Sequence, residues 1–280
     1  MYSGSTLTNY SGLVLGAHQK IDRTARRHLQ QLAPACNFPK IKTILHFEGN
    51  NGPDGIKRKS PAKGEPWHYI QPFDMKDDGI LKIISDHYVS LVESLRGKDD
   101  VRAAFESAWI AHAIVDGLTP AHHYPYEDKL VELRGGEGIE TRTTIKKKLV
   151  MPGDTKREQL NNNWKMWGPK GLFTTHAAFE WGFATVVRPL RLKAAMPTDT
   201  DMKNFQELGV EAWFRQQAQQ IASLHMYDSF YEHGWTRKLA RQVRLELAPA
   251  ITKAVTICWY GALLDARGKR EQESDANHRR

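Results

Sequence analysis

Apolar positions recur every three to four residues along most of the chain, and no run of alternating β-branched residues is bounded by hairpin turns. That spacing predicts helices. The first is expected over residues 13–32, stopped near Pro34. Asp77 and Asp78 are candidate caps for a second that runs to Leu95 and closes at Gly97. Asp99 or Asp100 caps a third through Val101, Phe105, Ala108 and Val115 to Gly117, where Pro120 forbids continuation. Further helices are expected over 170–192, with Pro189 a candidate kink, over 202–231, and over 236–265 with a bend at Pro249. The expected fold is therefore all-α, a single multi-helix bundle. Two stretches read as irregular. Residues 48–66 hold four glycines, three prolines and four basic residues, the composition of an exposed loop. Residues 127–170 carry Gly135-Gly136, Pro152-Gly153 and Asn161-Asn162-Asn163, and read as an insertion between core helices. One domain over 1–266 and a charged flexible tail over 267–280 complete the expected organisation.

Composition narrows the classes. Of 280 residues, 40% are hydrophobic and 26% charged, enough apolar material for a core and too much for a disordered chain. Cys36 and Cys258 form neither a disulfide framework nor a CxxC pair, which suits a reducing compartment. The N-terminal stretch lacks a basic region, and its apolar run Leu13-Val14-Leu15 is too short for a signal peptide. The longest apolar stretch, 247–266, is interrupted by Pro249, Lys253 and Asp265, so no uninterrupted transmembrane span of about 20 residues is expected. The expectation is a soluble, cytoplasmic protein. The formal charge is +8, of which +2 lies in the tail; the remainder suits an anionic partner such as phosphate, nucleic acid or an acidic lipid surface. The basic cluster Arg237, Lys238, Arg241 and Arg244 reads as a solvated helix face.

The twelve histidines change the picture most. Four of them, His18, His112, His123 and His176, have an acid four residues on, where composition alone gives roughly 1.4 such pairs. Positions i and i+4 share a helix face at a spacing that lets both bind one metal ion. His112-Ala-Ile-Val-Asp116 and His176-Ala-Ala-Phe-Glu180 lie on apolar helical patterns, where a charged pair is costly to bury without a cation. Gly117 and Pro120 end the helix after Asp116, so the turn can return His122 to the same end. His123 competes with His122 for that place, and the spacing from Pro120 favours His122.

Put together, His112-x3-Asp116-x5-His122 followed by His176-x3-Glu180 resembles the zinc-dependent phospholipase C superfamily, which also holds the fungal single-strand-specific zinc nucleases. Upstream, His18-Gln-Lys-Ile21-Asp-Arg-Thr-Ala25, Asp54 and His68-Tyr69-Ile70 match the family order, and Pro120 is placed as in the family. The resemblance implies a helical bundle with a di- or tri-zinc cluster at one end and phosphodiester hydrolysis by a metal-activated water. It implies that Asp54, His68, His112 and Asp116 hold one zinc and that His122, His176 and Glu180 hold a second. A third would lie between Asp116 and His18. Asp54 is the residue expected to orient the attacking water or take its proton. Zinc is the expected cofactor, although such nitrogen and oxygen ligands also accept iron or manganese.

The chain departs from the family in three places. Secreted members offer a terminal tryptophan to the third zinc, whereas here no tryptophan precedes Trp67. Two zinc ions are therefore expected, with a third only if the Met1 amine, Asp22 or water completes the site. The gap from His122 to His176 is wide and is filled by the insertion, a lid over the metals or a surface elaboration. Tyr69 stands where the family's nucleases stack a base, yet Gln71 stands where they place an acid, and Glu180 resembles the phospholipase branch. The expected partner is a phosphate ester, either a phospholipid headgroup or single-stranded nucleic acid. Three functions follow from these residues: a phospholipase C-like phosphodiester hydrolase, a nuclease on single-stranded DNA or RNA, and a metal-stabilised helical interaction module without turnover.

Overall fold

A computed structural model describes residues 16–59 and 67–278. Helices dominate the described residues and no strand occurs among them, so the fold is all-α. The first half contains α1 (Ala17–Leu32), α2 (Ile41–His46), α3 (Pro53–Lys59), α4 (Gly79–Gly97) and α5 (Asp100–Gly117). Next come α6 (Tyr126–Leu133), α7 (Ile145–Leu149), α8 (Lys156–Trp167) and α9 (Leu172–Val187). The chain closes with α10 (Asp199–Ala222), α11 (Met226–His233), α12 (Arg237–Gln242) and α13 (Ala248–His278).

The bundle is organised around α13, which packs on α1, α4, α5 and α10. Its Ile251, Val255, Cys258, Trp259 and Ala262 are buried, and the Trp259 indole donates to the Ser107 carbonyl on α5 at 3.0 Å. The helical stretch Arg237–Gly268 is long and apolar enough to cross a membrane, but 72% of its most apolar window is buried inside the protein. That burial is what a central core helix requires. α1 presents Ala17, Ile21, Ala25 and Leu29 to the same core. α4 and α5 pack along each other, and a Cβ at Gly117 would stand 2.7 Å from Phe214 and 2.8 Å from Ile80. Only glycine permits that approach where α5 ends.

Several expectations need correction. Asp78 precedes α4 without a capping hydrogen bond; its carboxylate pairs with Lys82, and Asp77 accepts from the Gln71 amide. Asp99, not Asp100, caps α5 through the Arg102 amide. Residues 48–59 are not a loop throughout, since a 3-10 turn and α3 occupy Gly49–Asn51 and Pro53–Lys59. The insertion is not irregular: α6, α7 and α8 fold onto a small second core of Tyr126, Leu130, Met151 and Met166. Asn163 fastens it by exchanging both backbone hydrogen bonds with Met151, and Arg134 donates to the Lys147 carbonyl. The expected helix over 170–192 ends at Val187, before Pro189. The one expected over 202–231 is divided at Ser223–His225, and α10 itself bends at Gly209, whose φ of 73° suits glycine. Near Pro249 the chain answers the missing amide with a π turn over Val243–Leu247, which widens the helix before the proline. The helix then continues to His278, so the charged tail begins as helix. Residues 13–15, the start expected for the first helix, lie outside the described residues.

Candidate metal centre

The site forms where α1, α5 and α9 converge with the segments that carry Asp54 and His68. On α5, His112 and Asp116 lie one turn apart, with His112 Nε2 3.2 Å from Asp116 Oδ2. The end of α5 folds back sharply: the Thr119 amide bonds to the Asp116 carbonyl and the His122 amide to that of Thr119, both at 2.8 Å. This turn returns His122 to the end of the helix. The segment around His68 is zipped onto it, because the Ile70 amide bonds to the His122 carbonyl at 3.1 Å and the His122 Nδ1–H donates to the His68 carbonyl at 2.7 Å.

Asp116 is the hub. Its Oδ2 lies 2.6 Å from His68 Nδ1, and its Oδ1 lies 3.2 Å from His18 Nε2 and 4.0 Å from His122 Nε2. The His18 and His112 rings stack at 4.2 Å between centroids. On the second side, Glu180 Oε1 lies 3.0 Å from both His122 Nε2 and His176 Nε2. Three groups have ligand atoms within 4.8 Å of one another and could hold a metal ion: Asp54, His68 and His112; His122, His176 and Glu180; and His18, Glu48 and His112. Apart from Asp54, at 23% side-chain exposure, no member of these groups exceeds 14%.

Electrostatics favour a cation here. A ring whose Nδ1–H donates to a carbonyl is, when neutral, left with a lone pair on Nε2. Burial lowers the His122 pKa to about 4, so at neutral pH this lone pair faces the Glu180 carboxylate at 3.0 Å. Two electron-rich atoms at that distance repel unless a positive charge stands with them. His112 has a different partner. Its Nδ1 lies 2.8 Å from Glu48 Oε1, while its buried Nε2 has no aligned hydrogen-bond partner. Burial alone would lower the His112 pKa, but the Glu48 and Asp116 carboxylates outweigh it and hold the value well above the ordinary. The carboxylate–histidine pair orients a metal-binding imidazole and leaves its other nitrogen pointing at the ion. The donors are imidazoles and carboxylates, a set that fits a divalent cation such as zinc.

Glu48 carries no motif signal. It stands 64 residues from His112 in a glycine-rich stretch, so only the fold brings the two together. Asp22, one turn beyond His18, is fully buried with neither carboxylate oxygen hydrogen-bonded. Burial raises its pKa well above the ordinary value, and the nearby Glu48 charge adds to the rise. The Met1 amine lies outside the described residues. His123 turns away and its Nε2–H donates to the Gly117 carbonyl at 2.9 Å. Tyr69 packs its ring on His122, with centroids 5.1 Å apart, and lies almost parallel to Tyr126 at 5.4 Å. The ring proposed to stack a base is thus engaged by protein rings. Gln71 is exposed and lines a cleft of about 330 Å³ with His123, Tyr124 and Tyr227. Outside these groups, His87 Nδ1 lies 2.5 Å from the buried Glu106 that also binds Arg102. No family model matches the chain, and neither the curated proteins nor the solved structures compared with it contain a match.

Proposed function

We propose that the chain is a zinc-dependent phosphodiester hydrolase of the phospholipase C type. The observation that carries this reading is the convergence of two His/carboxylate groups on either side of Asp116, with one partly exposed acid, Asp54, at the edge. Zinc ions at such sites lower the pKa of bound water, polarise phosphoryl oxygens and stabilise the departing alkoxide. Asp54, His68, His112 and Asp116 would hold one ion, and His122, His176 and Glu180 another. His18, with Asp116 and Glu48 beside it, is the candidate for a third.

The protein's own groups have distinct tasks. Glu48 fixes the His112 ring through Nδ1, and the His68 carbonyl fixes His122 in the same way, so each ring keeps one orientation. Asp54 Oδ1, 3.8 Å from His112 Nε2, accepts the proton of the water that attacks phosphorus. Its exposure, the highest in the ligand groups, supports this role over a purely structural one and speaks against the interaction module without turnover. The engaged Tyr69 ring removes the feature that most favoured a nuclease. The test is incubation of the zinc-loaded protein and its Asp54→Asn variant with phosphatidylcholine, short single-stranded DNA and a bis-aryl phosphate. Headgroup release that is lost in the variant supports the reading. Cleavage of DNA alone overturns it in favour of a nuclease, and turnover of none overturns it in favour of the module.

A further inference from the structure

The insertion between the two halves of the metal centre exposes an apolar stripe that no protein core covers. On α8, Leu160, Trp164 and Trp167 follow at i, i+4 and i+7, a single helix face, with exposures of 73%, 67% and 37%. The buried Met166 and the hydrogen bonds of Asn163, on one flank of this face, hold the helix down. The stripe continues beyond α8. Trp167 donates its indole N–H to the Leu149 carbonyl at 2.9 Å, and its ring lies 4.8 Å from the ring of Phe173 on α9. On α7, Ile145 and Leu149 are exposed at i and i+4.

Charge frames this stripe. At 3.6 residues per turn, the exposed Lys156 and Arg157 fall on the two flanks of the Leu160–Trp164–Trp167 face. Lys146 and Lys147 stand exposed between Ile145 and Leu149. Residues 145–170 carry seven basic and two acidic side chains, so the surface is cationic as well as apolar. Aliphatic and tryptophan side chains beside lysines are the composition of a segment that lies in a bilayer interface. Leu160, Leu149 and Ile145 offer no π-face to a nucleic-acid base, which makes a single strand a poor occupant. Phe173 precedes His176 by one turn of α9, so the stripe borders the residues of the second metal group.

We propose that α7, α8 and the start of α9 form a docking surface for anionic lipid bilayers, which sets the metal centre against the headgroup layer. The use of the surface rests on the hydrolase reading; the binding itself does not. Full-length protein, with and without zinc, is floated with vesicles of pure phosphatidylcholine and of equal parts phosphatidylcholine and phosphatidylserine. The variants are Leu160→Ser/Trp164→Ser and Lys146→Glu/Lys147→Glu, all exposed positions, with unchanged circular dichroism as the fold check. Wild type should float with the anionic vesicles and blue-shift its tryptophan emission. The serine pair should abolish the shift, and each lost lysine should weaken binding about fivefold. Failure of wild type to bind, or equal binding by folded variants, overturns the proposal. So does a stripe-dependent gain of oligonucleotide binding or of self-association in place of vesicle binding. Vesicle binding without headgroup release supports the docking surface and counts against the hydrolase alone. Headgroup release from dispersed short-chain lipid without vesicle binding does the reverse.

Discussion

Glu48 provides the sharpest single perturbation, because it makes one short contact with one ligand and is itself buried. Glu48→Gln keeps an acceptor oxygen opposite His112 Nδ1 but removes its charge, and Glu48→Ala removes both. A hydrogen bond to a charged group contributes about 1.5–3 kcal/mol, and a neutral one about 1 kcal/mol. The glutamine variant should therefore lose about 1–2 kcal/mol of zinc affinity, roughly five- to thirtyfold, and the alanine variant about a hundredfold. Loss of an outer-shell partner typically costs about 10–100-fold in metal affinity, which agrees. Proton competition modifies the result in a defined direction. Glu48 raises the His112 pKa, so below that value zinc must displace a proton from the wild type. The variant has less proton to displace, so its deficit should be full at alkaline pH and shrink as pH falls. Competition titration against a chromophoric chelator over a pH series measures both. Wild-type affinity for a folded Glu48→Gln protein at alkaline pH, or a deficit that grows on acidification, would refute the reasoning.

Other consequences can be checked on the metal-free protein. Burial depresses the His123 pKa from 6.5 to about 4, so the unfolded chain binds the extra proton between those values. Stability should be full above 6.5 and fall by up to about 3 kcal/mol on acidification toward 4, a slope that His123→Gln should flatten in denaturant titrations. Asp22 has the opposite sign: its raised pKa costs stability as pH rises above 3.8, so metal-free Asp22→Asn should melt at a higher temperature than wild type at neutral pH. Gly117→Ala would press a methyl into Phe214 and Ile80, and should destabilise the fold by about 1–3 kcal/mol in thermal unfolding.

Legibility followed the range of the interactions. Helices α4 and α5 could be read within a few residues because their apolar period and bounding Asp99, Gly97 and Gly117 are local signals. The insertion reads as irregular in the sequence because its helices are short and α7 places three lysines in five residues, whereas what orders it is Asn163 reaching Met151 and Arg134 reaching Lys147. At Pro249, helix chemistry predicts a bend, and the chain meets the missing amide with a π turn over Val243–Leu247. The same division holds in the site. His112–Asp116 and His176–Glu180 are visible as i, i+4 pairs, and the Gly117–Pro120 turn announces the return of His122. Glu48 with His112, His87 with Glu106 and Tyr69 with Tyr126 join residues 64, 19 and 57 positions apart, and no spacing rule reaches that far.

The most direct test of the account is the metal content of the purified, zinc-equilibrated protein, by elemental analysis of wild type, His112→Ala and His176→Ala. Wild type should carry at least two zinc ions per chain, and each variant should lose one with its helical spectrum retained. Fewer than two in wild type, or two ions that survive both substitutions, would contradict it.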